Sequence, residues 1–463
     1  MSQQVNTRGI ILDILLEINE KERFTHEVLS EALRKYQYLS KEDRAFISYV
    51  VRGTVEYRIT LDYIIEKFSD NPIGKMKPVI RNIIRMSAYQ IMFMDNVKDY
   101  AVCDEAVKLT VKKGYDFFKS FVNAVLRNIA RTRKENYLPE CNCESNNKKI
   151  RDYLSIAYSM PKWLVSMWIS RFGREQTENM LKAQFVKRPL TIRCNTARIT
   201  PKELAKRLTD RGITVREMIL PEALEISGYD YLEKIPEFIE GLFFVQDISS
   251  MLVAHIAAPE KDSRIIDLCA APGGKSMHLA EMMAGNGYVD ARDVSDAKAV
   301  KIQENIKRLG LNNVSVKVHD ARITDEEVID SADIVIADLP CSGLGVLAGK
   351  PDIKYHATYE GCEKLAMLQR EILAASAGYV KKGGVLIYST CTVNHKENID
   401  NVRWFIDEYP FELESLDSYI PKVFHSETTK DGYIQLLPGN GINTSENNEE
   451  NYDGFFIARL VRK

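Results

Sequence analysis

The sequence predicts a multidomain protein: an all-α N-terminal bundle, a small α+β module, and a doubly wound, Rossmann-like α/β domain. Three observations carry this expectation. Roughly the first 135 residues repeat a helical apolar period, residues 151–240 mix helical stretches with short strand-like runs, and beyond Gly241 an apolar strand, a turn and a helix recur in series. A chain of 463 residues is also too long for one ordinary core and suits about three domain-sized units.

In the first part, Ile10, Ile11, Ile14, Leu15 and Ile18 fall on one 3.6-period face, and comparable patterns recur at Leu61–Phe68 and Ile80–Phe93. The stretch RTRKENYLPECNCESNNKK (131–149) has one Pro and no apolar period, so it reads as a linker; the bundle is placed at 1–135 and the linker at 136–150. In 151–240, PKWLVSMWISRFG and TPKELAKRLTDRG read as helices, and PLTIRCNT and ITVREMI as strands. From 241 to 463 the strands are RIIDL, GYVDARD, VSVKVHD, DIVIAD and GGVLIYST, with helices between them, which is the pattern of a parallel sheet. The Asn/Glu-rich INTSENNEEN (442–451) reads as a surface loop.

Composition bounds the function. Hydrophobic residues at 45% and charged residues at 28% are ordinary for a soluble globular chain, and no run of eighteen apolar residues offers a membrane span. The apolar run Ile10–Leu16 is broken by Asp13 and followed by Glu17, Glu20 and Glu22, unlike an export signal, so a cytoplasmic protein with no membrane partner is expected. Eight scattered cysteines form neither a dense disulfide framework nor paired zinc spacing. Cys141 and Cys143 have no second Cys or His pair nearby, and no metal is assigned. The net charge of −2 excludes a uniformly basic nucleic-acid binder. Between Pro161 and Leu220, however, thirteen Lys or Arg face five Asp or Glu, whereas residues 1–140 carry 23 against 19. A solvated helix face explains any one of these charges; the local excess favours a phosphate-facing surface.

A ligand site is expected at one sheet edge. After RIIDL comes Cys269-Ala270-Ala271-Pro272-Gly273-Gly274-Lys275 and then the helix SMHLAEMMA, a small-residue turn that lets backbone approach a ligand. Asp293 ends the second strand, twenty residues after Gly273, where a carboxylate can accept from ribose hydroxyls; Asp320 and Asp338 end the third and fourth. Singly, each Asp reads as a cap or turn residue. In series they mark the carboxyl edge, where open parallel sheets bind ligands. With no Gly-x-Gly-x-x-Gly series and no Walker lysine motif, a nucleoside cofactor lacking a pyrophosphate fits best.

Three segments, DLCAAPGGK, DLPCSG (338–343) and YSTCTVNHKEN (388–398), resemble in order and spacing the motifs of RNA 5-methylcytosine methyltransferases of the Sun/NOL/NOP family. The N-terminal bundle looks like a NusB-type RNA-binding domain. The resemblance covers nearly the whole chain and implies a class I methyltransferase domain using S-adenosylmethionine, with 16S ribosomal RNA as partner and substrate. Carried onto this sequence, Cys269 to Lys275, Asp293, Asp320 and Asp338 would hold the cofactor. C5 of cytosine is a poor nucleophile until something adds to C6, and the implied nucleophile is Cys391. Asp338 would assist at the N3 edge, and Cys341 would release the adduct. The bland alternative for either thiol is a buried small hydrophobe. DNA cytosine methyltransferases resemble this chain in having a Pro-Cys after the fourth strand, but there that Cys is the nucleophile and the Thr390-Cys391 counterpart is missing, so the second cysteine argues for RNA.

Departures are small: Leu339 stands where Ala is usual, Ser276 where Thr is common, and the Asn/Glu-rich insert precedes the final strand. Lys275 has two open roles, organising the site through Asp338 or binding the cofactor. A transfer-RNA cytosine-5 methyltransferase would keep every motif, and the NusB-like domain weighs against it. A non-catalytic RNA-binding ribosome-assembly factor is opposed by intact Cys391, Cys341 and Asp338. A monomer is the expectation for oligomeric state.

Overall fold

The computed structural model describes residues 6–132, 137–139, 147–186, 188–445 and 448–463. Most of the 131–149 stretch, with Cys141 and Cys143, lies outside the described residues. Two compact units emerge, Met1–Gln184 with Gly349–His356, and Phe185–Ala348 with Ala357–Lys463.

The first unit holds α1 (Thr7–Glu20), α2 (Thr25–Lys35), α3 (Lys41–Glu56), α4 (Arg58–Glu66), α5 (Pro78–Phe93), α6 (Asp99–Lys112), α7 (Lys119–Thr132), α8 (Asn147–Ala157) and α9 (Lys162–Ala183). Local signals set the starts. The Asn6 side chain accepts from Gly9 N at 2.9 Å, Ser40 accepts from Asp43 N, and Pro78 occupies the first turn of α5. Helix α5 is buried almost all round and packs on α1, α3, α4, α6 and α7. Its buried Arg85 is neutralised by Asp62 through two 2.7 Å bonds. Gly53 of α3 is needed for close approach to α5, because a Cβ there would sit 1.9 Å from the Tyr89 ring. Helix α9 breaks at Gly173, whose φ of +77° is left-handed, at the glycine that ends PKWLVSMWISRFG.

Residues 349–356 add a distant piece of sequence to this unit. Asp352 accepts from Thr25 N at 2.6 Å, Lys354 donates to Glu56 O at 2.9 Å, and Tyr355 donates to Val55 O at 2.9 Å with the Arg58 guanidinium 3.5 Å from its ring centroid. Burial pulls the Lys354 amine down to about 7.

In the second unit, β1 (Leu190–Cys194), α10 (Pro201–Asp210), β2 (Thr214–Glu217), β3 (Ala223–Ser227) and β4 (Phe243–Val245) form a small module. Its antiparallel sheet runs β2-β3-β1-β4, and α10 opens with a Thr200–Glu203 capping box. Next come α11 (Ile248–Ala257), β5 (Arg264–Asp267), α12 (Gly274–Met282), β6 (Tyr288–Asp293), α13 (Asp296–Leu309), β7 (Val314–Val318), β8 (Ala332–Asp338), α14 (Tyr359–Ser376), β9 (Val380–Thr390), α15 (Ile399–Glu408), β10 (Phe411–Leu413) and β11 (Tyr433–Leu436). The short ribbon β12 (Ile442–Ser445) and β13 (Asn448–Glu450) replaces the loop expected there, and β14 (Phe455–Arg462) ends the chain.

The main sheet runs β10-β14-β9-β8-β5-β6-β7, with β11 also paired to β14. Strands β5 to β9 are mutually parallel, while β10, β11 and β9 pair antiparallel with β14. The period-2 alternation of the strands builds two cores. Ile265, Ile334, Ile336, Val385 and Ile387 pack with α11 and α12, whereas Ile266, Val335, Ala337, Leu386 and Tyr388 pack with α14 and α15. Because β5 is flanked by β6 and β8, and their following helices cover opposite faces, a crevice opens at the carboxyl ends of β5 and β8. No helix among the described residues is long and apolar enough to cross a membrane.

Candidate functional site

A cavity of about 240 Å³ lies at that crevice. Cys269, Ala270, Ala271, Pro272, Gly274 and Lys275 line it together with Asp267 and Asp338, and Phe244, Val245, Gln246, Asp247 and Ser250 also contribute. The loop is pinned on both sides: Ala270 N donates to Arg292 O at 2.8 Å, and Gly273, with φ +104°, starts α12 without a Cβ that would press on Met277. Asp293 ends β6 behind the loop and accepts from Ala271 N at 3.1 Å and Val294 N at 2.8 Å, with Lys298 at 3.1 Å. Asp320 lies two residues beyond β7 and is gripped by Arg322, whose bonds hold its carboxyl down to about 2. Gly273, Asp293 and Asp320 are not on the cavity lining, although the first two shape the loop that is.

Burial pushes the Asp267 carboxyl up to about 7, partly offset by a 2.5 Å bond from Ser276. A carboxyl whose folded value exceeds its unfolded one (about 3.9) binds more protons when folded, so its contribution to stability is present at low pH and is lost as pH rises from about 4 through about 7. Asp267→Asn is therefore expected to gain on the wild type as pH rises from 5 to 8, by on the order of 3 kcal/mol at most, in denaturant titrations at each pH. A pH-independent difference would contradict this assignment.

The parallel pairing of β8 with β9 sets Asp338 opposite Ser389, so the chain leaves both strands side by side. Pro340-Cys341-Ser342 follows one and Cys391-Thr392 the other, and the two Sγ atoms stand 3.1 Å apart. Beside them, Lys275 Nζ donates to Asp338 Oδ2 at 2.7 Å and Ser389 Oγ donates to Asp338 Oδ1 at 2.8 Å. Burial works against the Lys275 charge, but Asp338 beside it, with Asp267 and Cys391 further off, holds the ammonium above its ordinary value. The Cys341 thiol is raised well above its usual range by its bond with Cys391 and by burial. Gly345 lets the two loops close: its N donates to Cys391 O at 3.1 Å, and a Cβ there would meet Gly454 O at 1.8 Å.

Two features escaped sequence reasoning. Fully buried Glu397 accepts from Ser342 N at 2.8 Å, Ser342 Oγ at 2.5 Å, Asn394 Nδ2 at 2.9 Å and Gln369 Nε2 at 3.1 Å. Ser342, Asn394 and Glu397 lie inside the quoted motifs, but nothing marked Gln369 of α14. Arg193, one of the thirteen basic residues between 161 and 220, faces inward. It is 0% exposed, pairs with Glu281 at 2.9 Å and donates to Gly274 O at 2.8 Å, tying the small module to the cavity loop. Arg171, Lys202 and Lys206 of that stretch are exposed.

Among the described residues, Glu222, His255 and His278 have potential ligand atoms within 4.8 Å of one another. His255 Nε2 and His278 Nε2 lie 2.6 Å and 3.5 Å from Glu222 Oε1, and burial pulls His278 down to about 3, so the three side chains are held together by their own hydrogen bonds.

Comparisons with known proteins bear on the fold and the family. Residues 254–461 match the family described as 16S rRNA methyltransferase RsmB/F, residues 5–131 the NusB family, and residues 160–229 the RsmF/B-like ferredoxin-like domain. The crystal structure of PH0851 superposes with a TM-score of 0.81 over 100% of both chains at 23% identity, which shows the fold. NSun6 from Pyrococcus horikoshii, solved with SFG, gives a TM-score of 0.56 at 25% identity over 65% of this chain and 98% of its own. A Synechocystis protein named "Probable ribosomal RNA small subunit methyltransferase B" is 33% identical over 99% of this chain and 100% of its own. The Bacillus subtilis protein of the same name is 32% identical over 100% of both. With NusB, ferredoxin-like and RsmB/F methyltransferase matches along the chain and relatives matching end to end, the chain belongs to the family of ribosomal RNA small subunit methyltransferase B.

Proposed function

We propose that this enzyme methylates C5 of a cytosine in 16S ribosomal RNA, with S-adenosylmethionine as methyl donor and Cys391 as covalent nucleophile. The observation that supports the chemistry most is the pair of thiols 3.1 Å apart, at adjacent strand ends beside Asp338. A single buried cysteine would be ordinary packing; two at the carboxyl edge suit a reaction that makes and then breaks a carbon–sulfur bond.

The cavity suits the methyl donor. Its walls combine apolar Phe244, Val245 and Pro272 with the acidic Asp247 and Asp338, and with Asp267 held partly neutral by burial, against one ammonium, Lys275. That balance favours a cationic, phosphate-free nucleoside over a nucleotide. Ala271, Gly274 and Lys275 would hold it, with Asp293 behind the loop. When bound, S-adenosylmethionine supplies an electrophilic methyl group. Asp293→Ala is expected to weaken its binding about 10- to 100-fold, the loss of one or two charge-assisted hydrogen bonds, by isothermal titration calorimetry. Unchanged affinity would remove Asp293 from the site.

The residues then divide the work. Lys275 lies within Coulombic reach of Cys391 and favours its thiolate, and the Cys341 thiol stands 3.1 Å from the same sulfur. The thiolate adds to C6, and C5 gains enamine character. Asp338, oriented by Lys275 and Ser389, meets the N3 edge as charge develops there. After transfer, the Cys341 sulfur, having given up its own proton to solvent once Cys391 is bonded to C6, takes the C5 proton; the C5=C6 bond re-forms and the C6–sulfur electron pair returns to Cys391 as thiolate. A base within a duplex cannot reach this edge, so the target lies in a loop or is flipped out, at a cost of about a few kcal/mol.

We assign the holding of flanking RNA to the helical unit and the small module. The helical unit carries an open cavity of about 570 Å³ between α6 and α7, where Lys119, Arg127 and Arg131 outnumber Asp99 and Asp104 around Tyr100, a surface that can take a phosphate beside a stacked base. The divisions 1–135, 136–150, 151–240 and 241–463 remain our functional partition of the chain. The test is transfer of labelled methyl to protein-free small-subunit and transfer RNA, followed by digestion to nucleosides. Label in 5-methylcytosine from small-subunit RNA supports the proposal. Label only from transfer RNA overturns the substrate, and label in any other nucleoside overturns the chemistry.

A further inference from the structure

We propose that Glu397 is a positioning residue that fixes Cys341 against Cys391, so that its role lies in release of the covalent adduct rather than in its formation. The inference rests on the two-thiol reading above and deepens it.

The hydrogen-bond pattern carries the argument. All four bonds to the Glu397 carboxylate have it as acceptor, and all four donors are neutral. Three of the four come from groups that hold the Cys341 loop: Ser342 N, Ser342 Oγ, and Gln369 Nε2, whose second hydrogen goes to Pro340 O at 2.9 Å. The residues on either side of Cys341 are thus both referred to one carboxylate. The fourth donor, Asn394, lies on the loop after Cys391, and the Ser342 and Thr392 hydroxyls meet at 2.8 Å across the gap. Gln369 is itself oriented, its Oε1 accepting from Asn401 Nδ2 at 2.9 Å. The Cys391 side needs this carboxylate less. Cys391 directly follows a strand in register with β8 and β14, and its carbonyl accepts from Gly345 N.

Glu397 has no cationic partner among the described residues, and such a buried carboxylate carries a desolvation penalty that a glutamine of the same shape would avoid. A glutamine, however, would point an NH₂ at donors, so only the charged acceptor satisfies the whole set. Removing it frees the Cys341 loop while leaving the Cys391 strand end in place.

The experiment compares wild type, Glu397→Gln and Ser342→Ala in full-length enzyme, with Cys391→Ala and Cys341→Ala alongside, on small-subunit RNA. Steady-state constants are measured together with the fraction of RNA trapped as covalent complex on denaturing gels. Glu397→Gln is expected to lower kcat about 10- to 100-fold, leave both KM values within about threefold, and raise the trapped fraction about 10-fold, a partial copy of Cys341→Ala. Ser342→Ala, which loses one of the four bonds, is expected to move kcat and trapping the same way but less, and it decides the matter if Glu397→Gln does not fold. A wild-type trapped fraction and kcat in a folded variant overturn the proposal, as does a loss of kcat with no trapping. If Cys391→Ala still methylates C5, the covalent reading itself fails, an outcome distinct from a wild-type-like Glu397 variant in an enzyme whose Cys391→Ala form is inactive.

Discussion

Replacing Cys391 by alanine is expected to lower C5 methylation by about 10⁴-fold or more, because the sulfur that adds to C6 is lost and the enamine is then never formed. Affinity for S-adenosylmethionine is expected to stay near wild type, since Cys391 does not line the cavity assigned to the methyl donor. Methyl transfer and calorimetry on the same preparation separate the two effects. An inactive variant that binds the donor normally supports a nucleophile. Loss of donor binding would make Cys391 a structural residue, and retained methylation would show that the reaction proceeds without it.

Cys341→Ala has the opposite signature. The Cys391 thiolate and the Asp338–Lys275 pair remain, so addition to C6 and methyl transfer proceed, but the step that frees Cys391 is impaired. A covalent protein–RNA complex that survives denaturation is expected to accumulate to a large fraction of the enzyme, with multiple-turnover product falling about 100-fold or more. The high thiol pKa of Cys341 fits a group that keeps its proton until the adduct forms. An inactive variant with no trapped RNA would instead place Cys341 before the covalent step.

Much of this was legible in the sequence because the signals were local. The apolar runs DIVIAD and GGVLIYST announced strands of a parallel sheet, and chain order alone placed Asp338, Cys341 and Cys391 at its carboxyl edge. The small-residue turn announced the cavity, and seven of the ten cofactor positions line it. Asp320 illustrates the limit of that argument. It follows a strand as expected, but Arg322, two residues on, occupies its carboxylate, a local competition that strand position cannot reveal. Long-range partners were not readable at all. Residues 349–356 join the helical unit through Asp352, Lys354 and Tyr355, although their neighbours in sequence belong to the other unit. The basic excess between 161 and 220 was counted as surface, yet Arg193 is consumed by Glu281 and the Gly274 carbonyl, because a residue count carries no direction for a side chain. Gln369 gave no signal because its importance comes only from what lies across the helix–sheet interface.

The most direct test of the central claim is the site of covalent attachment. A small-subunit RNA carrying 5-fluorocytidine at its cytosines has no proton to surrender at C5, so once the methyl group is transferred the adduct cannot resolve. Incubating wild-type enzyme with this RNA and S-adenosylmethionine, then digesting both components and sequencing the nucleotide-bearing peptide by mass spectrometry, reads the nucleophile. The account predicts attachment at Cys391 in the segment YSTCTVNHKEN; attachment at Cys341, or no adduct from an active preparation, would contradict it.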